Sequence, residues 1–262
     1  MLKDFAEEKF DIFIQAGQSN CEGYGFGDTD EPYEANEQVW YLNGDFTMSC
    51  AAEKAAGNGI QSTYGLSFAR EYVRRGLLKE GRKLLILRTA VGGTGFLDNR
   101  WNMTDDLYLR MMEMIRTALS LNSENRLAGL LWHQGETDAL LNAGYEEHYN
   151  RLMGLLRSVR EEFHVPDLPF IAGDFVQQWK MDNEAICRPV VQAIRDVCRD
   201  CGCGAFVETD GLKSNMQEGA WNFLCGEDGD KDTIHFSRKS CYILGKRYFE
   251  AFSKITSDES VQ

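Results

Sequence analysis

Four short apolar segments alternate along this chain with longer segments that have the hydrophobic spacing of helices. The apolar segments are residues 10–16, 84–90, 127–133 and 169–173, with a weaker fifth at 205–208. Helical spacing covers residues 64–75, 105–121, 145–163, 184–199 and 237–252. Continuous apolar runs are typical of strands buried on both faces, so this order predicts parallel strands joined by helical crossovers. We expect an α/β protein, a three-layer α/β/α sandwich around a central parallel sheet.

The length of 262 residues fits one large domain, and we predict a single domain over residues 1–262. No internal repeat, low-complexity tract or Pro- or Ser-rich linker divides it. Residues 21–63 and 211–232 are rich in Gly, Asn, Asp and aromatic residues and show no clear period. Because both are too long for simple connections, we predict that they are insertions shaping the mouth of a ligand crevice.

The net charge limits the class of partner. The chain has 41 acidic and 28 basic side chains, a formal charge of −13. Such a charge repels a nucleic-acid backbone and an anionic membrane, so we expect neither as a partner and favour a small, neutral or weakly charged substrate. The first residues do not resemble a signal peptide, and no apolar run reaches the roughly 18 residues that span a bilayer. We therefore expect a cytoplasmic protein, with its oligomeric state open.

Eight cysteines in a chain of this size indicate reduced thiols rather than a disulfide framework. Cys198, Cys201 and Cys203 are close enough in sequence to suggest zinc. No second CxxC or HxxxH pair stands nearby to complete a tetrahedral site. We predict no metal site and no cofactor.

Glycines and polar residues follow the predicted strands, where the ligand crevice of an open parallel sheet lies. The segments are residues 17–20 (GQSN), 91–95 (VGGTG), 133–136 (HQGE) and 173–174 (GD), and residues 232–235 (DTIH) precede the last helix. Serine becomes a nucleophile when a base accepts its proton and a third group orients that base. Ser19, His235 and Asp232 supply these three types. Donors suited to an oxyanion are the amides of Ser19, Gly92 or Gly93 and the side chain of Gln134.

Together these motifs resemble the SGNH-hydrolase superfamily, and more narrowly its sialate O-acetylesterase and family-six carbohydrate esterase branch, which includes acetylxylan esterase-like enzymes. They span most of the chain, from Gly17 to His235. The resemblance implies a flavodoxin-like fold, metal-independent deacetylation and a Ser19–His235 pair. The Asp-x-x-His pattern makes Asp232 the acidic partner, but Glu136 has also been given that role in this branch. We favour Asp232 and keep Glu136 as the second candidate.

Gln134 stands where the superfamily usually has an oxyanion-hole asparagine, as is typical of this branch, and this argues against a lipase or thioesterase. We expect a serine esterase that removes O-acetyl groups from a carbohydrate through an acyl-enzyme on Ser19. The sugar is an acetylated sialic acid or a xylan-type unit. A catalytically silent carbohydrate-binding or scaffold module is the alternative.

Several further residues are assigned from their positions. We predict that Gln18, Asn20 and Trp101 contact the substrate. Tryptophans suited to packing on a sugar ring near the presumed crevice are Trp40, Trp101, Trp179 and Trp221. We expect His133 to be a packed histidine that supports Gln134, and His148 and His164 to be solvated.

Overall fold

A computed structural model of the protein describes residues 2–57, 59–220 and 231–257. Its strands are β1 (Lys9–Gly17), β2 (Val39–Leu42), β3 (Met48–Cys50), β4 (Lys54–Ala56), β5 (Gly59–Gln61), β6 (Arg82–Arg88), β7 (Arg126–His133), β8 (Phe170–Gly173) and β9 (Gly204–Val207). Seven of them form one sheet in the order β3-β2-β6-β1-β7-β8-β9, and β4 pairs with β5 in a separate hairpin. All neighbours in the large sheet are parallel except β2 and β3. The run β6-β1-β7-β8-β9 has the flavodoxin-like order 2-1-3-4-5.

Helices cover both faces of this sheet. They are α1 (Ser19–Glu22), α2 (Tyr64–Arg74), α3 (Asp106–Ser120), α4 (Glu136–Leu140), α5 (Tyr145–Glu162), α6 (Gln177–Asp182), α7 (Glu184–Asp200) and α8 (Arg238–Ser257), and a short 3-10 helix spans Leu2–Phe5. Helix α2 packs on α8, and α5 packs on α7. The predicted α/β/α sandwich is confirmed. None of the helices in the described ranges is long and apolar enough to cross a membrane.

The central strand β1 shows why the sheet is buried on both sides. The Phe13 ring contacts Phe68, Tyr72 and Phe252 on helices α2 and α8, with ring centroids 4.8 to 5.4 Å apart. Its neighbour Ile12 points to the opposite face and is also fully buried. Because β1 is packed on both faces, the position of its last residue, Gly17, at the carboxyl end of the strand is fixed.

The segment 21–63 is more ordered than the sequence predicts. Strand β2 joins the central sheet in parallel beside β6, and β3 pairs with β2 at the sheet edge. The segment therefore extends the sheet in addition to any role at the crevice. Its strands have three or four residues, too few for a periodic pattern to appear in the sequence. Of the second predicted insertion, residues 221–230, with Trp221, lie outside the described residues.

The prediction that His148 is solvated is wrong. Its side chain is fully buried, on the inner face of α5 together with Leu152 and Leu155. These residues follow the spacing i, i+4, i+7 of one helix face, so the sequence pattern does contain the signal. His164 lies just after α5 and is exposed, as predicted.

Candidate active site

Three of the predicted site residues meet beyond the carboxyl ends of the parallel strands. Ser19 begins α1 directly after β1, and Asp232 and His235 lie in the turn before α8. The Ser19 Oγ is 2.8 Å from the His235 Nε2. The other ring nitrogen, Nδ1, lies 2.9 and 3.0 Å from the two carboxylate oxygens of Asp232. This chain of contacts has the geometry of a hydroxyl, a base and an acid that orients the base.

The Asp232 carboxylate is held by two further donors. Its Oδ1 accepts the backbone N–H of His235 at 3.1 Å, and its Oδ2 accepts an Nδ2–H of Asn215 at 2.8 Å. The backbone N–H of Asn215 also donates to the His235 carbonyl at 3.0 Å. Asn215 therefore fixes both Asp232 and the turn that contains His235. Sequence reasoning missed it, because an asparagine in a loop belongs to no periodic pattern.

Tyr24 is a second residue that sequence reasoning missed. Its ring stacks on the His235 imidazole, with centroids 4.8 Å apart and an angle of 27° between the planes. Its backbone carbonyl accepts the second Nδ2–H of Asn215 at 2.8 Å. An aromatic face over an imidazole limits the orientation of the ring and favours its protonated form.

Asn20 is buried and links the nucleophile turn to two other loops. Its Nδ2 donates to the Glu136 Oε1 at 2.7 Å and to the Ile234 carbonyl at 2.9 Å. Its Oδ1 accepts the Phe236 backbone N–H at 3.1 Å. These contacts use the whole carboxamide, which contradicts the prediction that Asn20 contacts the substrate. Its place indicates a positioning role between Ser19 and His235.

Gln18 is also turned into the protein. It is 2% exposed, and its Oε1 accepts the backbone N–H groups of Gly135 and Thr137 at 3.4 and 3.1 Å. The side-chain carbonyl therefore caps the start of α4 instead of facing a crevice. The prediction that Gln18 contacts the substrate is not supported by this placement.

Three of the four tryptophans expected near the crevice lie within the described residues, and these three are in the interior or away from the site. Trp101 is fully buried, donates its Nε1–H to the Thr94 Oγ1 at 3.0 Å and packs edge-on against Trp132, so the prediction that it contacts substrate is wrong. Trp179 is 7% exposed. Trp40 lies level with residue 12 of β1, far along the strand from Ser19, and contacts Phe5. None of these three presents an aromatic face beside Ser19.

Glu136, the second candidate acid, is fully buried but contacts Asn20 rather than His235. Its Oε1 is 4.0 Å from the Nε2 of His133, and its Oε2 accepts no hydrogen bond from the described residues. Burial raises the pKa of Glu136. Because burial also lowers the pKa of His133 to about 3, that imidazole is neutral at physiological pH. His133 is packed as predicted, with its Nδ1 2.9 Å from the Tyr248 hydroxyl.

The predicted oxyanion donors differ in availability. Ser19 lies in the first turn of α1, where backbone N–H groups have no acceptor within the helix. The Gly92 N–H donates to the Glu22 Oε2 at 2.7 Å, so it is engaged. Gly93 is exposed and has a φ of 69°, a conformation that favours glycine. The Ser19 and Gly93 amides are thus the two predicted donors that this arrangement leaves accessible.

The Gln134 side chain is fully buried and points to Asp138. Its Nε2 donates to the Asp138 Oδ2 at 2.9 Å and to the Thr94 carbonyl at 3.3 Å. The Asp138 carboxylate also accepts the backbone N–H groups of Phe96 and Leu97 at 2.9 Å. Both donor positions of the Gln134 amide are therefore occupied, and Gln134 supports the loop after β6 rather than an open oxyanion site.

Asp138 also lies close to a histidine of α5. The Nδ1 of His148 lies 3.2 Å from the Asp138 Oδ2, and both side chains are fully buried. Burial alone would raise the pKa of Asp138, but the contact with His148 and the amides of the loop after β6 outweigh it and lower that pKa. Asp138 thus joins α4, α5 and the loop after β6 as an ionised carboxylate.

The residues with zinc-like spacing do not form a metal site in the described part of the chain. Cys198 and Cys203 are buried, Cys201 is half-buried, and the seven described cysteines are free thiols. No group of three or more His, Cys, Asp or Glu with the arrangement of a metal site occurs among the described residues.

Comparisons with known proteins concern the family and the fold of this chain. Residues 9–254 match the model of a protein family described as carbohydrate esterase, sialic acid-specific acetylesterase. A probable 9-O-acetyl-N-acetylneuraminic acid deacetylase of Escherichia coli is 30% identical over 88 residues, which are 31% of this chain and 27% of that protein. A probable carbohydrate esterase of Arabidopsis thaliana is 29% identical over 182 residues, 61% of this chain and 66% of that protein.

Both alignments therefore span less than two thirds of the relative's length. The crystal structure of NanS superposes with a TM-score of 0.77 over 96% of this chain and 99% of that one, at 18% sequence identity. At that identity the likeness shows a shared fold.

Proposed function

Because the chain belongs to the carbohydrate esterase family of sialic acid-specific acetylesterases, we propose that it removes O-acetyl groups from a carbohydrate with Ser19 as nucleophile. His235 is the base in this proposal, and Asp232 is the acid that orients it. The observation that carries the assignment is the Ser19–His235–Asp232 contact chain, with distances of 2.8 and 2.9 Å. The family supports the reaction class, and this geometry supports the choice of residues.

Acylation follows from the positions of these groups. The Ser19 Oγ attacks the acetyl carbonyl carbon while the His235 Nε2 takes the hydroxyl proton. The tetrahedral intermediate collapses, its bond to the sugar oxygen breaks, and His235 returns the proton to that oxygen. The sugar leaves with a free hydroxyl, and the acetyl group stays on Ser19.

Deacylation repeats the sequence with water. His235 takes a proton from water, whose oxygen attacks the acetyl carbonyl, and then returns that proton to the Ser19 Oγ as acetic acid leaves and ionises to acetate in solution. The Asp232 carboxylate keeps the proton of the imidazole on Nδ1, so that Nε2 is free to act as base. Tyr24, stacked on the ring, favours the imidazolium formed in both halves of the reaction.

The oxyanion in this scheme is stabilised by the backbone N–H of Ser19 together with that of Gly93, which is exposed. The Gly92 N–H can donate to the oxyanion only if the Glu22 carboxylate, which it binds in this structure, moves away from it. Gln134 contributes indirectly, because its side chain donates to the Thr94 carbonyl and so holds the loop that contains these glycines.

The substrate class is a small acetylated saccharide. The family description and the Escherichia coli relative both point to O-acetylated sialic acid, whereas the Arabidopsis relative is described as a carbohydrate esterase without a named sugar. We rank acetylated sialic acid first and acetylated xylose units second. A cytoplasmic location and a single-domain organisation stay predictions.

The test is release of acetate from 4-nitrophenyl acetate, 9-O-acetyl-N-acetylneuraminate and acetylated xylo-oligosaccharides. Wild-type protein should release acetate from at least one of the sugars, and Ser19→Ala should reduce this by at least about 10⁴-fold. The matched control is Ser120→Ala, an exposed serine at the end of α3, which should retain full activity. Circular dichroism shows whether each variant is folded.

Near-native turnover of Ser19→Ala would overturn the mechanism. Wild-type protein that binds an acetylated sugar but releases no acetate would favour the silent binding module.

A further inference from the structure

A cavity opens near the carboxyl ends of the parallel strands, on the same side of the sheet as Ser19. Its volume is about 270 Å³, and it lies beyond the ends of β2 and β6. The residues that line it are Gln15, Glu22, Asn43, Gly44, Lys54, Arg88, Ala90, Val91 and Arg110. Three of these side chains are cationic and one is anionic, a local net charge of +2 in a chain of net charge −13.

The three cations have no ion-pair partner among the described residues. Most described Lys and Arg side chains form ion pairs, but Arg88, Arg110 and Lys54 have no carboxylate within 4.0 Å in the described ranges. Arg88 lies over the Tyr41 ring, 5.0 Å from its centroid, which fixes the guanidinium without neutralising it.

Arg110 is the most constrained of the three. It is half-buried, and its Nη2 donates to the Thr89 carbonyl at 3.1 Å. Its Nε is buried and has no hydrogen-bond partner among the described residues. Burial lowers the pKa of Arg110, although the carboxylates of Asp106 and Glu22 act in the opposite sense from beyond ion-pair distance. An anion in direct contact with the guanidinium offsets more of the cost of burying this charge.

The cavity is close to the nucleophile. Glu22, one of its lining residues, ends the single turn of α1 that begins at Ser19, an advance of on the order of 5 Å along the helix axis. Val91, another lining residue, donates its N–H to the Gly17 carbonyl at 3.1 Å. The Glu22 carboxylate accepts the Gly92 N–H at 2.7 Å, so the one negative charge that lines the cavity is bound to the loop after β6.

We propose that this cavity binds the carboxylate of an acidic sugar and thereby selects acidic over neutral acetylated saccharides. The inference rests on the proposed function, because it treats the cavity as part of the same substrate site. Two guanidinium groups suit a planar carboxylate, and the ammonium of Lys54 adds charge at the exposed side. The cluster also reverses locally the repulsion that a chain of net charge −13 exerts on an anionic substrate.

The experiment compares two substrates that differ only in this charge: 9-O-acetyl-N-acetylneuraminate and its methyl ester at the sugar carboxyl. The readout is the ratio of the two kcat/KM values for acetate release. Wild-type protein should favour the free acid by about 10-fold or more, because a hydrogen bond to a charged group is lost in the ester. Arg88→Met and Lys54→Met should bring the ratio toward one. Arg157→Met, which removes an exposed cation on α5, is the matched control and should keep the wild-type ratio.

A separate binding measurement tests the carboxylate site independently of the esterase assignment. The Ser19→Ala protein should bind N-acetylneuraminate in calorimetry, and adding Arg88→Met should weaken that binding by about 10-fold. If no acetate is released but Arg88→Met weakens the binding of N-acetylneuraminate, the carboxylate site is supported and the esterase assignment is refuted. If acetate is released but the wild-type protein has similar kcat/KM values for the acid and the methyl ester, the carboxylate site is refuted. It is also refuted if Arg88→Met and Lys54→Met both keep the wild-type preference for the acid. Equal competition by inorganic sulfate or phosphate would indicate a general anion site and also refutes the proposal.

Discussion

Replacing Asp232 by asparagine tests the orientation of the base directly. In the structure both carboxylate oxygens accept from fixed donors: Oδ1 from the His235 backbone N–H and Oδ2 from the Asn215 side chain. An asparagine has one oxygen and one NH₂ group, so in either orientation its NH₂ faces one of these donors. If that NH₂ also donates to the His235 Nδ1, the ring proton moves to Nε2, and the nitrogen facing Ser19 can no longer accept a proton.

The expected loss follows from the triad template. The Asp→Asn change in a serine triad reduces turnover by about 10⁴-fold, equivalent to about 5.5 kcal/mol of transition-state stabilisation. Asp232→Asn should approach this loss in kcat for acetate release, with circular dichroism like that of the wild type.

Glu136→Gln is the matched comparison. A glutamine keeps an oxygen that accepts the Asn20 Nδ2–H, and it removes a carboxyl group whose pKa burial has raised. We expect its kcat to fall by less than about 10-fold, because it preserves a hydrogen bond of ordinary strength. If Glu136→Gln is much the more damaging of the two in a folded protein, Glu136 is the triad acid and the orientation argument for Asp232 is refuted.

Three other outcomes are expected. Asn215→Leu leaves the Asp232 Oδ2 without its donor and should lower kcat by about 10-fold to 100-fold in steady-state acetate release, and an unchanged kcat would exclude this positioning role. Asp138→Asn should lower the free energy of unfolding by about 1–3 kcal/mol at pH 7. The folded pKa of Asp138 lies below the unfolded value of about 3.9, so its ionised form stabilises the protein above that value and the gain is lost as pH falls through the folded pKa. Denaturant unfolding should therefore show the wild-type advantage shrinking from pH 5 toward pH 3, and a difference constant with pH would contradict this. Activity should survive EDTA, and a loss restored by zinc would point to Cys198, Cys201 and Cys203.

The sequence predicts the sandwich well because its main elements are long and strongly patterned. Each of the five predicted helices matches an observed one, and α2 runs over Tyr64–Arg74 where residues 64–75 were expected. The polar segments that follow the strands meet at one edge because parallel strands end there together. Ser19 follows one of these strands, whereas Asp232 and His235 are predicted from the Asp-x-x-His pattern before the last helix.

The sequence fails where structure depends on contacts between distant loops. Strands β2 to β5 have three or four residues each, so they show no period and their pairing is set by the neighbouring strand. Asn215 and Tyr24 act on the catalytic turn from segments about 190 residues apart in the chain. The assignments of Gln18, Asn20 and Trp101 to the substrate erred in one way: polar and aromatic residues near a strand end were taken to face outward, whereas they bind neighbouring loops.

Ser19 and His235, the proposed nucleophile and base, are 216 residues apart in the sequence, and only the completed fold brings them within 2.8 Å. Ester hydrolysis is therefore a measure of whole-chain folding, because no fragment that lacks either α1 or the turn before α8 contains both groups. During refolding, helical signal in circular dichroism should recover before hydrolysis does, since local contacts form faster than distant ones. The same separation makes the active site sensitive to partial unfolding at either end, so activity should fall during thermal unfolding at or before the loss of the central sheet.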